Sequence, residues 1–113
     1  MKTVLLLTFL ASQMVFAHSD HPPRVAACIA KACTQEQVEK GLQTALDILV
    51  AKKVVEDSWA KIKLEKIESK QFKKGPEWVA TYFDDSKKDK TKQRLYVFIT
   101  KDGYLNGANF TGE

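Results

Sequence analysis

Arg94-Leu95-Tyr96-Val97-Phe98-Ile99-Thr100, followed by Lys101-Asp102-Gly103 and then Tyr104-Leu105-Asn106-Gly107-Ala108-Asn109-Phe110-Thr111, reads as a β-hairpin. The first run is aliphatic, aromatic and β-branched, as a half-buried pleated strand requires. Asp102-Gly103 is the strongest short-range hairpin signal in the chain, because both residues tolerate the positive φ of a tight turn. A two-residue turn there sets Thr100 opposite Leu105, Phe98 opposite Gly107, Val97 opposite Ala108 and Leu95 opposite Phe110. In that register Leu95, Val97, Ile99, Ala108 and Phe110 share one face, while Tyr96, Phe98 and Leu105 share the other.

Upstream, Trp78, Ala80 and Tyr82 alternate with Val79, Thr81 and Phe83, which gives another strand. Lys73-Lys74-Gly75-Pro76 precedes it as a turn, and the mixed-charge stretch 84–93 follows it as a loop. Before the turn, Ala60, Ile62 and Leu64 alternate with Lys61, Lys63 and Glu65 and predict the first strand, although Leu64 and Ile67 stand at helical spacing. Earlier still, Thr34 with Gln37 three residues on forms a capping box that opens a helix. Val38, Leu42, Ala45, Leu46 and Leu49 make its single apolar stripe, and Lys52-Lys53 at its end complement the helix dipole. The expected fold is α+β: one amphipathic helix packed on a four-stranded antiparallel sheet, formed by residues 34–113.

One helix covers one sheet face. The second face, with Tyr96, Phe98 and Leu105, is then covered by the Ala-rich segment 24–33, enclosed by curling of the sheet, or left as an aromatic patch for a protein partner or a second copy. Gly107 opposite Phe98 leaves room beside that ring in each case.

The helix over 34–51, the strand around Trp59 to Glu68, the strand Glu77-Trp78-Val79-Ala80-Thr81-Tyr82 and the hairpin Leu95-Tyr96-Val97-Phe98-Ile99-Thr100-Lys101-Asp102-Gly103 together resemble a PepSY-type domain over about residues 34–112. The chain also resembles a group of short, uncharacterised proteobacterial periplasmic proteins that begin, after their leader, with His-Ser-Asp-His. That resemblance implies a periplasmic or secreted accessory domain, in some relatives attached to peptidases and suspected of restraining them. It carries over no catalytic residue. The Cys28/Cys33 segment and the charged loop depart from a plain PepSY pattern.

The first residues read as an export signal. Lys2, the apolar run from Val4 to Leu10 and Val15-Phe16-Ala17 ahead of His18 are a positive n-region, an h-region and a cleavage site. Ser12 and Gln13 interrupt the run well short of the roughly 20 apolar residues of a membrane span. We therefore expect residues 1–17 to be a signal peptide, 18–33 a polar and Ala/Cys-containing segment, and 34–113 the single domain, with no transmembrane segment after cleavage and a periplasmic or secreted bacterial location.

Two cysteines in an exported chain suggest a disulfide. Cys28 and Cys33 are five positions apart, so a continuous helix would turn them about 140° from each other and a bridge needs a loop or broken turn. Cleavage before His18 would leave a free α-amine beside its imidazole, a two-nitrogen chelate to which Asp20 or His21 could add a ligand. Such a set suits Cu(II) best, then Ni(II) or Zn(II). A polar tail is the plainer reading of the same four residues, and Pro22-Pro23 fits it.

The formal charge of +4 is spread among interspersed acids, as in Asp84-Asp85-Ser86-Lys87-Lys88-Asp89-Lys90, so nucleic acid is not expected as a partner. Both histidines precede the expected domain, no Ser or Cys stands near an ordered base, and no Gly-rich phosphate loop occurs, which argues against an enzyme. The functional expectation is a small exported non-enzymatic accessory protein, an interaction or inhibitory module. The alternative is a periplasmic Cu, Zn or Ni binder using His18 and His21.

Overall fold

The computed structural model describes residues 22–28 and 31–113. The predicted leader and His18, Asp20 and His21 lie outside the described residues. A helix α1 (Gln35–Ala51) is followed by a 3₁₀ turn (Asp57–Lys61), strands β1 (Leu64–Phe72) and β2 (Gly75–Phe83), a second 3₁₀ turn (Lys90–Lys92), and strands β3 (Arg94–Thr100) and β4 (Leu105–Asn109). The strands form an antiparallel meander in the order β1-β2-β3-β4, with α1 on one face. This is the expected α+β architecture.

Thr34 caps α1 through the predicted capping box: its hydroxyl accepts from Gln37 N, and Gln37 Oε1 accepts from Thr34 N at 2.9 Å. The stripe Val38, Leu42, Ala45, Leu46 and Leu49 is buried against Ala80, Tyr82, Leu95, Val97 and Ile99. The helix ends in a Schellman motif, with Val54 N donating to Leu49 O and Lys53 N to Val50 O, both at 2.9 Å. Lys53 takes the left-handed position, φ 61°, that glycine usually fills. Lys52 and Lys53 thus lie just past the last turn, which holds no basic residue.

The first strand begins later than the alternation of Ala60, Ile62 and Leu64 predicts. Asp57–Lys61 forms a 3₁₀ turn that drives Trp59 into the core, 6.0 Å from the Phe110 ring. A bulge lies between Leu64, opposite Tyr82, and Lys66, opposite Thr81. The extra residue keeps Leu64 and Ile67 on the core side although they are three apart, and sends Glu65 to the other face.

The β3–β4 turn is one residue longer than Asp102-Gly103 alone predicts. Thr100 N donates to Tyr104 O at 2.8 Å and Gly103 N to Thr100 O at 2.9 Å, so residues 101–103 form a three-residue loop with Gly103 at φ 93°. A bulge at Asn106 then restores the expected register, with Phe98 opposite Gly107 and Val97 opposite Ala108. Between loop and bulge, Leu105 faces Ile99 rather than Thr100. Leu105 therefore does not join Tyr96 and Phe98 on the second face; it is buried in the core.

The segment before α1 fills the end of the helix face. Val25 N and Ala26 N both donate to Gly103 O, Cys33 N donates to Lys101 O, and Pro23 O accepts from Leu105 N at 2.8 Å. Ala26 and Cys33 are buried beside Leu105. Cys28 and Cys33 are at disulfide distance, their Cα atoms 5.1 Å apart. A Cβ on Gly41 would overlap the Val25 carbonyl, so a glycine in mid-helix is what lets this segment approach the helix. The described residues of segment 24–33 thus pack on the core side and do not cover the second sheet face, which among the three expectations disposes of the first.

Candidate functional site

The outer face of the sheet, opposite α1, is built from alternate residues of every strand: Lys66, Glu68, Lys70 and Phe72 on β1; Glu77, Val79 and Thr81 on β2; Arg94, Tyr96 and Phe98 on β3; Gly107 and Asn109 on β4. Among the described residues no second helix or sheet lies over it. The C-terminal tail reaches it where Asn109 Oδ1 accepts from Gly112 N at 2.8 Å and turns the chain so that Gly112 sits against the Tyr96 ring, and Glu113 continues to the cleft beside Phe72 and Phe98.

Long side chains shield the middle of this face. Val79 is flanked by Glu68 and Phe98, Thr81 by Lys66 and Tyr96, and both are fully buried. Phe98 is only 7% exposed, because Phe72 meets it edge-on at 5.8 Å. Tyr96 is half-buried. The predicted aromatic face is therefore an aromatic floor, covered at Phe98 within one chain. Leu105 is absent from it for the reason given above.

Beside Phe98 the space expected at Gly107 is present: a Cβ there would touch nothing within 4 Å. It opens a cleft of about 520 Å³ between Phe72, Phe98 and the bulged part of β4, with Lys73 and Lys74 at its rim. Asn106 Nδ2, turned outward by the bulge, donates to both oxygens of Glu77 at 3.2 and 3.0 Å. Further along the face, Arg94 grips Glu65 through Nε and Nη2, both at 3.1 Å, and lies 4.3 Å over the Phe83 ring. The guanidinium holds the Glu65 carboxyl below its ordinary range, and the carboxylate in turn raises Arg94. Lys66 and Lys70 flank Glu68 at 3.5 and 3.9 Å. Under these pairs, Thr81 Oγ1 is buried with no hydrogen-bond partner.

Phe72, Glu77, Thr81 and Asn106 were not singled out by the sequence reading. Phe72 falls outside the strand that the alternation at Ala60, Ile62 and Leu64 predicts, and Asn106 reaches the cleft through a bulge that leaves no mark in the hairpin's sequence.

The sequence profile of a family of unknown function, DUF6488, matches residues 1–113. The chain belongs to that family. No curated protein matches it, and no solved structure does. In this DUF6488 chain no helix among the described residues is long and apolar enough to cross a membrane. Among the described residues no three His, Cys, Asp or Glu side chains converge as a metal site, and the expected ligands His18, Asp20 and His21 fall outside them.

Proposed function

We propose that this DUF6488 protein is a small exported, non-catalytic accessory module that binds a protein partner through the outer face of its sheet. The observation that carries the reading is the pairing of an uncovered sheet face with a cleft on it, walled by Phe72 and Phe98 and rimmed by Lys73 and Lys74. A cleft of this size accepts one or two side chains of a partner, and the polar groups around it suit a surface that is soluble when unoccupied. The helix-then-meander order is compatible with the PepSY resemblance, whose inhibitory role is the finer form of this proposal. The Cys28 and Cys33 pair at disulfide distance supports an oxidising compartment, in line with the leader expected over residues 1–17.

Site-specific photo-crosslinking in cells that export the protein tests this. A photoreactive residue at Asn106 or Tyr96 is expected to give one discrete adduct, and the same residue at Gln43, on the solvent side of α1, none. Adducts of equal yield from all three positions, or none from Asn106 and Tyr96, would remove the outer face as the binding surface. An adduct of twice the chain mass would identify the partner as a second copy.

A further inference from the structure

At the far end of α1 lies a second concavity, of about 350 Å³, that the outer-face reading does not use. Its floor is Val55, Trp59 and Phe110, with Val54 at the edge. Val54 follows the left-handed Lys53, a position from which an apolar side chain commonly folds back on the helix. Here it is 51% exposed, the one large apolar side chain left mainly exposed among the described residues.

The charges around this floor divide unequally. Glu56 is taken up by Lys87 Nζ at 2.7 Å, and the same ammonium touches Ser58 Oγ at 3.2 Å and lies 5.5 Å over the Trp59 ring. Asp89 Oδ1 accepts from Thr91 N and Thr91 Oγ1 at 3.0 and 2.6 Å, capping its own turn. Glu56 is thus offset by Lys87, whereas the donors to Asp89 are neutral and leave its negative charge in place. Lys88 and Lys92 are exposed and form no ion pair among the described residues, so the three lysines of the lining exceed its two carboxylates by one and the rim is left net cationic.

We propose that this cleft binds a small apolar carboxylate, with its hydrocarbon on Val54 and Phe110, above the nearly buried Val55 and Trp59, and its carboxylate between Lys88 and Lys92. Its volume is at the low end of ligand pockets, which fits a single small molecule better than a length of docked chain. Apolar burial supplies the attraction, and the two ammonium groups select the anion over a neutral or cationic molecule with the same tail.

The test uses octanoate, octanol and octylamine as probes and follows both tryptophan indole signals by NMR on the intact protein. Octanoate is expected to shift Trp59 and the Val54 methyls while leaving Trp78 in place, and to bind about tenfold more tightly than octanol, with octylamine weaker still. Lys88→Gln/Lys92→Gln is expected to bring octanoate down to the octanol level at unchanged melting temperature. Raising salt in the unaltered protein should weaken octanoate and not octanol, a readout that needs no variant. Equal binding of octanoate and octanol, a shift at Trp78 in place of Trp59, or an unaffected double variant would overturn the proposal. So would binding of a peptide ending in an apolar residue with a free carboxylate where octanoate does not bind, since the occupant would then be a protein terminus. None of these outcomes depends on crosslinking at the outer face.

Discussion

Replacing Gly41 by alanine is the sharpest test of the docked N-terminal segment. In an isolated helix the change is stabilising by about 1 kcal/mol, because glycine is the weaker helix former. In this structure the added Cβ meets the Val25 backbone carbonyl rather than the end of a flexible side chain. Relief requires moving the segment that donates two hydrogen bonds to Gly103 O and buries Ala26 and Cys33. Backbone displacement of this kind costs typically 1–3 kcal/mol. Weakening of the segment's hydrogen bonds adds about 1 kcal/mol, which the propensity gain of similar size offsets, so the net loss is about 1–3 kcal/mol. For a domain of this size that lowers the melting temperature by roughly 5–20 °C. Thermal melts followed by far-ultraviolet circular dichroism measure it. An unchanged or higher melting temperature would mean that Gly41 is merely a weak point of the helix and that the segment does not pack there.

Reduction of the Cys28–Cys33 pair, or Cys28→Ser/Cys33→Ser, is expected to cost about 2 kcal/mol, read as a lower urea midpoint with little change in slope. Thr81→Val removes a buried hydroxyl that has no partner, so stability should rise by about 1 kcal/mol in chemical denaturation; a loss would mean that Oγ1 is bonded in solution. Burial, and secondarily the Glu39 carboxylate, push the Tyr82 phenol up to about 12. Its stabilising contribution is therefore full below its ordinary value near 10 and is lost as pH rises from there toward 12; Tyr82→Phe should flatten that decline in alkaline unfolding curves. We also propose that protein beginning at His18 binds Cu(II) more tightly than protein carrying one extra residue before it, by calorimetry, and equal weak binding by both would remove the metal reading.

What the sequence made legible is what local chemistry controls. Thr34 and Gln37 announce the helix start through their own side chains, and Arg94–Thr100 is delimited as observed because its alternation is uninterrupted. Two of the misplacements sit where one residue is added to a regular period. Leu64 and Ile67 at a spacing of three look like a helix fragment, yet that spacing is what a strand with a bulge at Glu65 gives. Leu105 was assigned to the wrong face because a longer turn and a bulge at Asn106 cancel in register beyond Phe98 but not between them. Trp59, an aromatic in an apparent alternation, belongs to a 3₁₀ turn whose reason is tertiary, the gap beside Phe110. At the outer face, the positions of Tyr96 and Phe98 could be read from period two, whereas the cover that Phe72 gives Phe98 and the unpartnered hydroxyl of Thr81 arise across strands and leave no local signature.

The two sides of the sheet are therefore finished by different means. On the inner side α1 leaves the β3–β4 turn open, and the segment before it closes the gap with two buried residues, Ala26 and Cys33, and hydrogen bonds to Gly103 and Lys101. So short a segment has little apolar area to hold it, and Cys33 stands at disulfide distance from Cys28, where a bond would stabilise the docked segment by about 2 kcal/mol. The outer side has no such closing segment among the described residues. Its shielding comes from charged side chains paired with one another, Glu65 with Arg94 and Glu68 with Lys66 and Lys70, lying over Val79 and Thr81. Exposed pairs of this kind contribute little stability and separate easily. A partner bound as proposed would displace them without disturbing the core, so its binding should leave the melting behaviour of the Gly41 and Cys28/Cys33 variants ranked as it is in the free protein.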